Sequence, residues 1–216
     1  MSTTDDTAAA TAAPVLAVAD PAPLGLAAFA LTTFLLSAAN AHWMSSATGD
    51  AWLGYAFAYG GLGQLIAGLF EFRNKNVFGA TAFCTYGGFW FGLGLWALLV
   101  APAPAGASPV VAAAHAVAGT HDLGWILLAF AIFNTYMMIY ASALNGAVFL
   151  VFLTLELTEI VLFIGFLGNN ANIIKVGGYI GILTALCAWY TSAAGVIGGI
   201  KGRPLLPVGK PFGPLA

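Results

Sequence analysis

Apolar residues in this chain fill long, nearly unbroken stretches, and polar residues gather in the gaps between them. Six such stretches lie near 24–42, 51–71, 77–100, 122–142, 145–168 and 176–200. Each is long enough for a helix to cross the roughly 30 Å hydrocarbon layer of a bilayer. The gaps differ in character. Phe72-Arg73-Asn74-Lys75-Asn76 is short and basic, whereas 101–121 is long, rich in Ala and Pro, and carries His115 and His121. Leu144-Asn145-Gly146 leaves barely a turn between the fourth and fifth stretches, and Gly168-Asn169-Asn170-Ala171-Asn172 separates the fifth from the sixth. The pattern predicts an all-α membrane protein. Its parts are a tail at 1–19, a six-helix transmembrane domain over 20–203 and a C-terminal tail at 204–216. The first tail has no Lys or Arg, and Pro14 interrupts its only mildly apolar run. It is expected to be disordered, not a secretory or mitochondrial leader.

Composition strengthens this class. Only 6% of the 216 residues are charged and 61% are hydrophobic, with mean hydropathy +0.93. A soluble domain carries roughly 25% charged residues. Arg73, Lys75, Lys201, Arg203 and Lys210 fall on one side of the predicted bundle and Lys175 on the other. The positive-inside bias therefore puts both termini in the cytoplasm; the plasma or inner membrane is the expected location. A net charge of −2 argues against a nucleic-acid partner, which needs clustered Lys and Arg. Cys84 and Cys187 lie inside apolar stretches and read as packing residues, with no disulfide or metal site implied. His42, His115 and His121 sit at or outside helix ends, so no catalytic cluster forms and an enzyme is not expected. No helix interior offers a Lys for retinal or paired His for haem, and no cofactor is expected.

Chemistry enters through the polar residues inside the stretches. At 100° per residue, Phe29, Thr33, Leu36 and Asn40 form one stripe of the first helix. That stripe suits either a narrow path or interhelical hydrogen bonding. Phe57, Gly60, Gly61, Gln64, Gly68 and Glu71 share a side of the second helix; Tyr86 lies on a mostly aromatic face of the third, with Ala82, Phe89, Trp90 and Leu93. Gly88 with Gly92, Gly177 with Gly181, and Gly195 with Gly199 have the four-residue spacing of close helix packing. The fifth helix holds Glu156 and Glu159, intramembrane carboxyls that are candidates for proton coupling or for structural bonding to a neighbouring helix or subunit. Leu157, with Thr154 and Thr158 beside it, faces roughly 100–160° away from them. Asp20-Pro21-Ala22-Pro23-Leu24-Gly25-Leu26 opens the first helix, with Asp20 as its cap and proline in its first turn. The positive end of that helix is a natural place for an anion.

These residues resemble the acetate uptake transporter family, which includes bacterial succinate–acetate permeases and fungal acetate- and ammonia-related membrane proteins. The family signature Asn-Pro-Ala-Pro-Leu-Gly-Leu appears here with Asp20 in place of its Asn. Further blocks match at Tyr59-Gly60-Gly61, Gln64, Ala67-Gly68 and Glu71, then at Asn76, Phe78-Gly79, Thr81-Ala82-Phe83, Tyr86-Gly87 and Phe89-Trp90. Leu205-Leu206-Pro207-Val208-Gly209 also resembles the family's end, so the likeness covers about 20–210. It implies six transmembrane helices per protomer, a homo-hexamer, and one pathway per protomer through a Phe, Tyr and Leu constriction at Phe29, Tyr86 and Leu157. Asp20, Leu24, Gly25, Thr33, Asn40, Gln64 and Thr158 are the expected polar or backbone contacts along that path. Asp20 either caps its helix and faces away from the path or tunes the path toward a neutral substrate; the cap is the favoured reading. Glu156 and Glu159 fall where the family pattern is mainly apolar or small polar.

The function these readings favour is a permease or channel for small monocarboxylates, chiefly acetate and also succinate, acting in the lipid bilayer. A membrane sensory or scaffold protein, or an ammonium-related exporter of the same family, is the alternative.

Overall fold

The polar breaks end one helix and cap the next. Asn76, Asn145 and Asn170 each accept a bond through their side-chain oxygen from a backbone N–H of the following first turn, at 3.1, 2.9 and 3.0 Å. Such caps satisfy donors that a helix start leaves without intrahelical partners. A computed structural model describes residues 18–45, 49–213 and 215, so the tail expected at 1–19 lies almost entirely outside the described residues. Six helices are long and apolar enough to span a membrane: α1 Ala22–Asn40, α2 Trp52–Arg73, α3 Val77–Val100, α4 Pro109–Ala141, α5 Gly146–Leu167 and α6 Ala171–Lys201. No strand occurs among the described residues. The chain is an all-α, multi-pass membrane protein.

Two helix starts differ from the sequence expectation. At α1, Pro21 takes the cap position and Pro23 the first turn, while Asp20 Oδ1 reaches over to accept the Ala22 N–H at 2.9 Å. Asp20 therefore still ties down the start of α1, one residue further out. The fourth helix begins at Pro109, well before 122. Ser108 caps it, proline fits its first position, and the Ala-rich run that looked like a loop propagates the helix. Its 33 residues rise about 50 Å, more than a bilayer core requires.

The helices form a closed ring. α1 packs between α2 and α6, α2 packs on α3, and α5 packs on both α4 and α6. The α3–α4 seam is closed by aromatic side chains, with ring centroids of Phe89 and Phe130 4.7 Å apart and those of Tyr86 and Phe133 5.6 Å apart. Both described ends of the domain lie on one face, called here the terminal face. There the segment after α6 is strapped across the bundle: Tyr190 donates to Pro207 O at 2.8 Å, Ala147 N–H donates to Val208 O at 2.8 Å, and Phe212 N–H donates to Ser142 O at 2.9 Å.

Two devices bring helices close. A π-helical stretch at Ala56–Gly61 interrupts α2 and presents Gly60 to Thr32 and Trp90. On α6, a Cβ added at Gly178 would stand 2.5 Å from Ala41 N and 2.8 Å from Ser37 O, both backbone atoms of the α1 end. Gly88 and Gly92 are different, because an added Cβ would meet nothing within 4 Å. Gly178→Ala is therefore expected to destabilise the protein by about 1–3 kcal/mol through overpacking, whereas Gly88→Ala leaves protomer packing intact. Thermal unfolding of the detergent-solubilised variants, followed by size-exclusion chromatography, checks the contrast.

Candidate functional site

Three cavities line up along the bundle axis. On the terminal face a vestibule of about 450 Å³ is bordered by Asp20, Asn145, Thr191 and Arg203. It shares Ala22, Leu26 and Val148 with an inner cavity of about 100 Å³ that holds Gln64, Glu71 and Asn76. Toward the opposite face lies an outer cavity of about 40 Å³ bordered by Thr33, Asn40, Trp90, Thr158 and Glu159. Phe29, Tyr86 and Leu155 border both the inner and the outer cavity, so they form the neck between them. The Phe29 and Tyr86 rings meet edge-on, with centroids 5.8 Å apart.

A polar network holds the neck. Tyr86 Oη donates to Asn134 Oδ1 at 3.0 Å and lies 3.4 Å from Glu159 Oε1. Asn134 Nδ2 donates to Phe152 O at 2.9 Å and to Glu156 Oε2 at 2.8 Å. Thr135 Oγ1 donates to the other Glu156 oxygen at 2.8 Å. Three helices are thus tied to one tyrosine. Glu156 has both oxygens engaged and borders neither cavity. Glu159 borders the outer cavity and keeps one oxygen free.

The buried polar atoms left without partners share one location. Among the described residues these are Gln64 Oε1, Glu71 Oε1, Thr33 Oγ1, Trp90 Nε1 and Glu159 Oε2. The first two residues border the inner cavity and the other three the outer one. An unsatisfied buried polar group costs about 1–3 kcal/mol, so a fold does not collect them along one axis without use. Neither cavity is bordered by Lys, Arg or His.

The residues singled out from sequence separate into three sets. Phe29 and Tyr86 stand at the neck, Gln64 borders the inner cavity, and Thr33, Asn40, Thr158 and Glu159 border the outer one. Asp20 stands at the vestibule. Gly25 packs against the Phe83 ring, and Leu24 points outward at the start of α1. Leu157 is 46% exposed on the outside of α5 and borders neither cavity, whereas Leu155, 6% exposed, borders both. The two leucines lie about 200° apart on the helix, and Leu155 shares the face of Glu159 at spacing i, i+4. The carboxyls of Glu156 and Glu159 therefore turn into the bundle and Leu157 turns out, the reverse of the arrangement a path-facing Leu157 requires. Asn134, fully buried at the centre of the network, is a second residue that sequence reasoning missed. Its signal was that of a lone amide within an apolar span.

Similar proteins place this geometry in context. The GPR1/FUN34/yaaH family model matches residues 4–201. Acetate permease A of Emericella nidulans is 36% identical over 198 residues, 88% of this chain and 65% of that protein. The succinate-acetate/proton symporter SatP of Escherichia coli strain K12 is 36% identical over 195 residues, 89% of this chain and 96% of that protein. The solved structure of the bacterial acetate channel SatP superimposes with a TM-score of 0.77 at 31% identity, covering 89% of this chain and all of that one. The chain spans 63–65% of the length of the fungal relatives it matches.

Asn134→Ala removes the partner of Tyr86 Oη, Phe152 O and Glu156 Oε2 together. The expected loss is at least about 3 kcal/mol, because several buried groups are left unpaired. A thermal shift no larger than that of an alanine replacement at exposed Asn172 would show that the network does not hold the neck.

Proposed function

Because the chain belongs to the GPR1/FUN34/yaaH family, we propose that it carries small carboxylates, chiefly the monocarboxylate acetate and also the dicarboxylate succinate, across the cell membrane. The observation that supports this most is the line of vestibule, inner cavity, neck and outer cavity, with unpartnered polar atoms on both sides of the neck. A carboxylate stripped of water in a low-dielectric medium costs on the order of 20 kcal/mol in the idealised limit. The free donors beside the outer cavity, Trp90 Nε1 and the Thr33 hydroxyl, replace part of its hydration. The apolar ring of Phe29, Tyr86 and Leu155 excludes a continuous water column and passes only a narrow molecule. Relatives named as permease, symporter and channel agree with a transporter and not an enzyme.

Three further assignments belong to this reading. The terminal face lies in the cytoplasm, since Arg73, Lys75, Lys201, Arg203 and Lys210 gather there. The protomers assemble as a homo-hexamer, and the outward-open Gly88 and Gly92 offer a surface where a second helix can approach closely. Of the two α5 carboxyls, Glu159 is the one placed to take part in proton coupling, because it keeps a free oxygen on the path whereas Glu156 does not.

Two sets of variants test it. Phe29→Ala and Leu155→Ala are expected to change the acetate-to-succinate uptake ratio in proteoliposomes by about tenfold or more, a change that enlarging an apolar neck by several methylenes produces. Leu157→Ala should leave that ratio unchanged; equal effects at 155 and 157 would remove Leu155 from the neck. Glu159→Gln is expected to flatten the pH dependence of acetate flux. Glu156→Ala should instead lower thermal stability, since it leaves an Asn134 N–H without its side-chain acceptor.

A further inference from the structure

The inner cavity contains a carboxyl that the neck network does not use. Glu71, on the last turn of α2, is 1% exposed and borders that cavity with Oε1 unpartnered. Gln64, two helical turns earlier, presents a second unpartnered oxygen to the same space. Asn76, at the start of α3, hydrogen-bonds Glu71 and also caps α3 by accepting the Gly79 N–H at 3.1 Å. A Cβ at Gly79 would stand 2.7 Å from Glu71 Oε1, so the glycine leaves room for this arrangement.

Among the described residues, no cation borders the cavity beside Glu71. The titratable groups bordering the inner cavity are Glu71 and, from α3, Tyr86; α1, α5 and the α4–α5 turn contribute only apolar side chains to it. Asp20 at the start of α1, also an acid, adds like charge to the surroundings of Glu71. Arg73 and Lys75 are exposed on the terminal face and do not border the cavity. Beyond the neck the titratable residue is Glu159, with Glu156 behind it on the same helix. Two carboxylates side by side in such a space cannot both be ionised, because like charges in a low dielectric force one to hold a proton. The neck adds a second demand. Its one hydroxyl, on Tyr86, is already directed to Asn134 and Glu159, leaving no free donor for a bare anion.

We propose that the inner cavity is a binding site for a monocarboxylic acid in which the substrate carboxyl and Glu71 share one proton, and that the substrate carries that proton into the neck. This rests on the transport reading above. No covalent bond other than the O–H is involved: the proton lies between a substrate oxygen and Glu71 Oε1, and it leaves with the substrate.

The test is equilibrium binding of radiolabelled acetate to the purified full chain between pH 5.5 and 9.5, with counterflow measured on the same preparation. The wild-type protein should lose about tenfold in acetate affinity per pH unit on the alkaline side, the slope of one proton linked to one ligand. Glu71→Asp, which keeps a carboxyl, should keep that slope, and Glu71→Gln should lose it. A flat wild-type profile with counterflow intact overturns the role of Glu71 while leaving the transport reading standing. An unchanged slope in Glu71→Gln overturns it equally. Absence of both binding and counterflow in the wild-type protein removes the transport reading and this site with it.

Discussion

The hydrogen bond from Tyr86 to Asn134 is the constraint on which the interior of this bundle depends. Helix α3 has little backbone contact with α4, so the ring of helices is closed there by side chains. Asn134 faces α3 with its oxygen and α5 with its amide, and it fixes the Tyr86 ring against Phe29. The neck is consequently a product of four helices and not a property of any one. Its width follows from where α4 and α5 hold that ring.

The distribution of charge then shapes what can use the neck. The vestibule mixes an acid and a base, Asp20 and Arg203, whereas the inner and outer cavities hold one buried carboxyl each and no base. A path built to hold free carboxylates would place cations or several N–H donors at its narrowest stretch. Here the free donors, Trp90 Nε1 and the Thr33 hydroxyl, lie on the outer side, and the free oxygens of Gln64 and Glu71 on the inner. This asymmetry favours a cargo that carries its own proton.

Much of this was legible in the sequence because the membrane imposes long apolar stretches with visible breaks, and asparagines at those breaks cap helices by local rules. The stripes through Phe29 and Tyr86 were also legible, since helical phase within one segment needs no tertiary information. Leu157 enters by resemblance alone, and the phase of the glutamates puts it on the opposite side of α5 from them. Had burial of the carboxyls been taken as the guide, Leu155 would have followed. Asn134 was invisible for a different reason: its partners lie 48 residues before it and 22 after it, and nothing local distinguishes it. The early start of α4 was hidden by an Ala- and Pro-rich composition that suits a loop and a capped helix alike.

The central claim is that substrate passes through the neck of each protomer. The most direct measurement is labelled-acetate counterflow in proteoliposomes comparing wild-type protein with Ala82→Phe. Ala82 is buried on the wall of the inner cavity, and its side chain takes no part in the polar network. Transient accumulation of label is expected with the wild-type chain and its loss in the variant, with both proteins eluting as the same folded assembly. Counterflow of equal rate through a folded Ala82→Phe protein would contradict it.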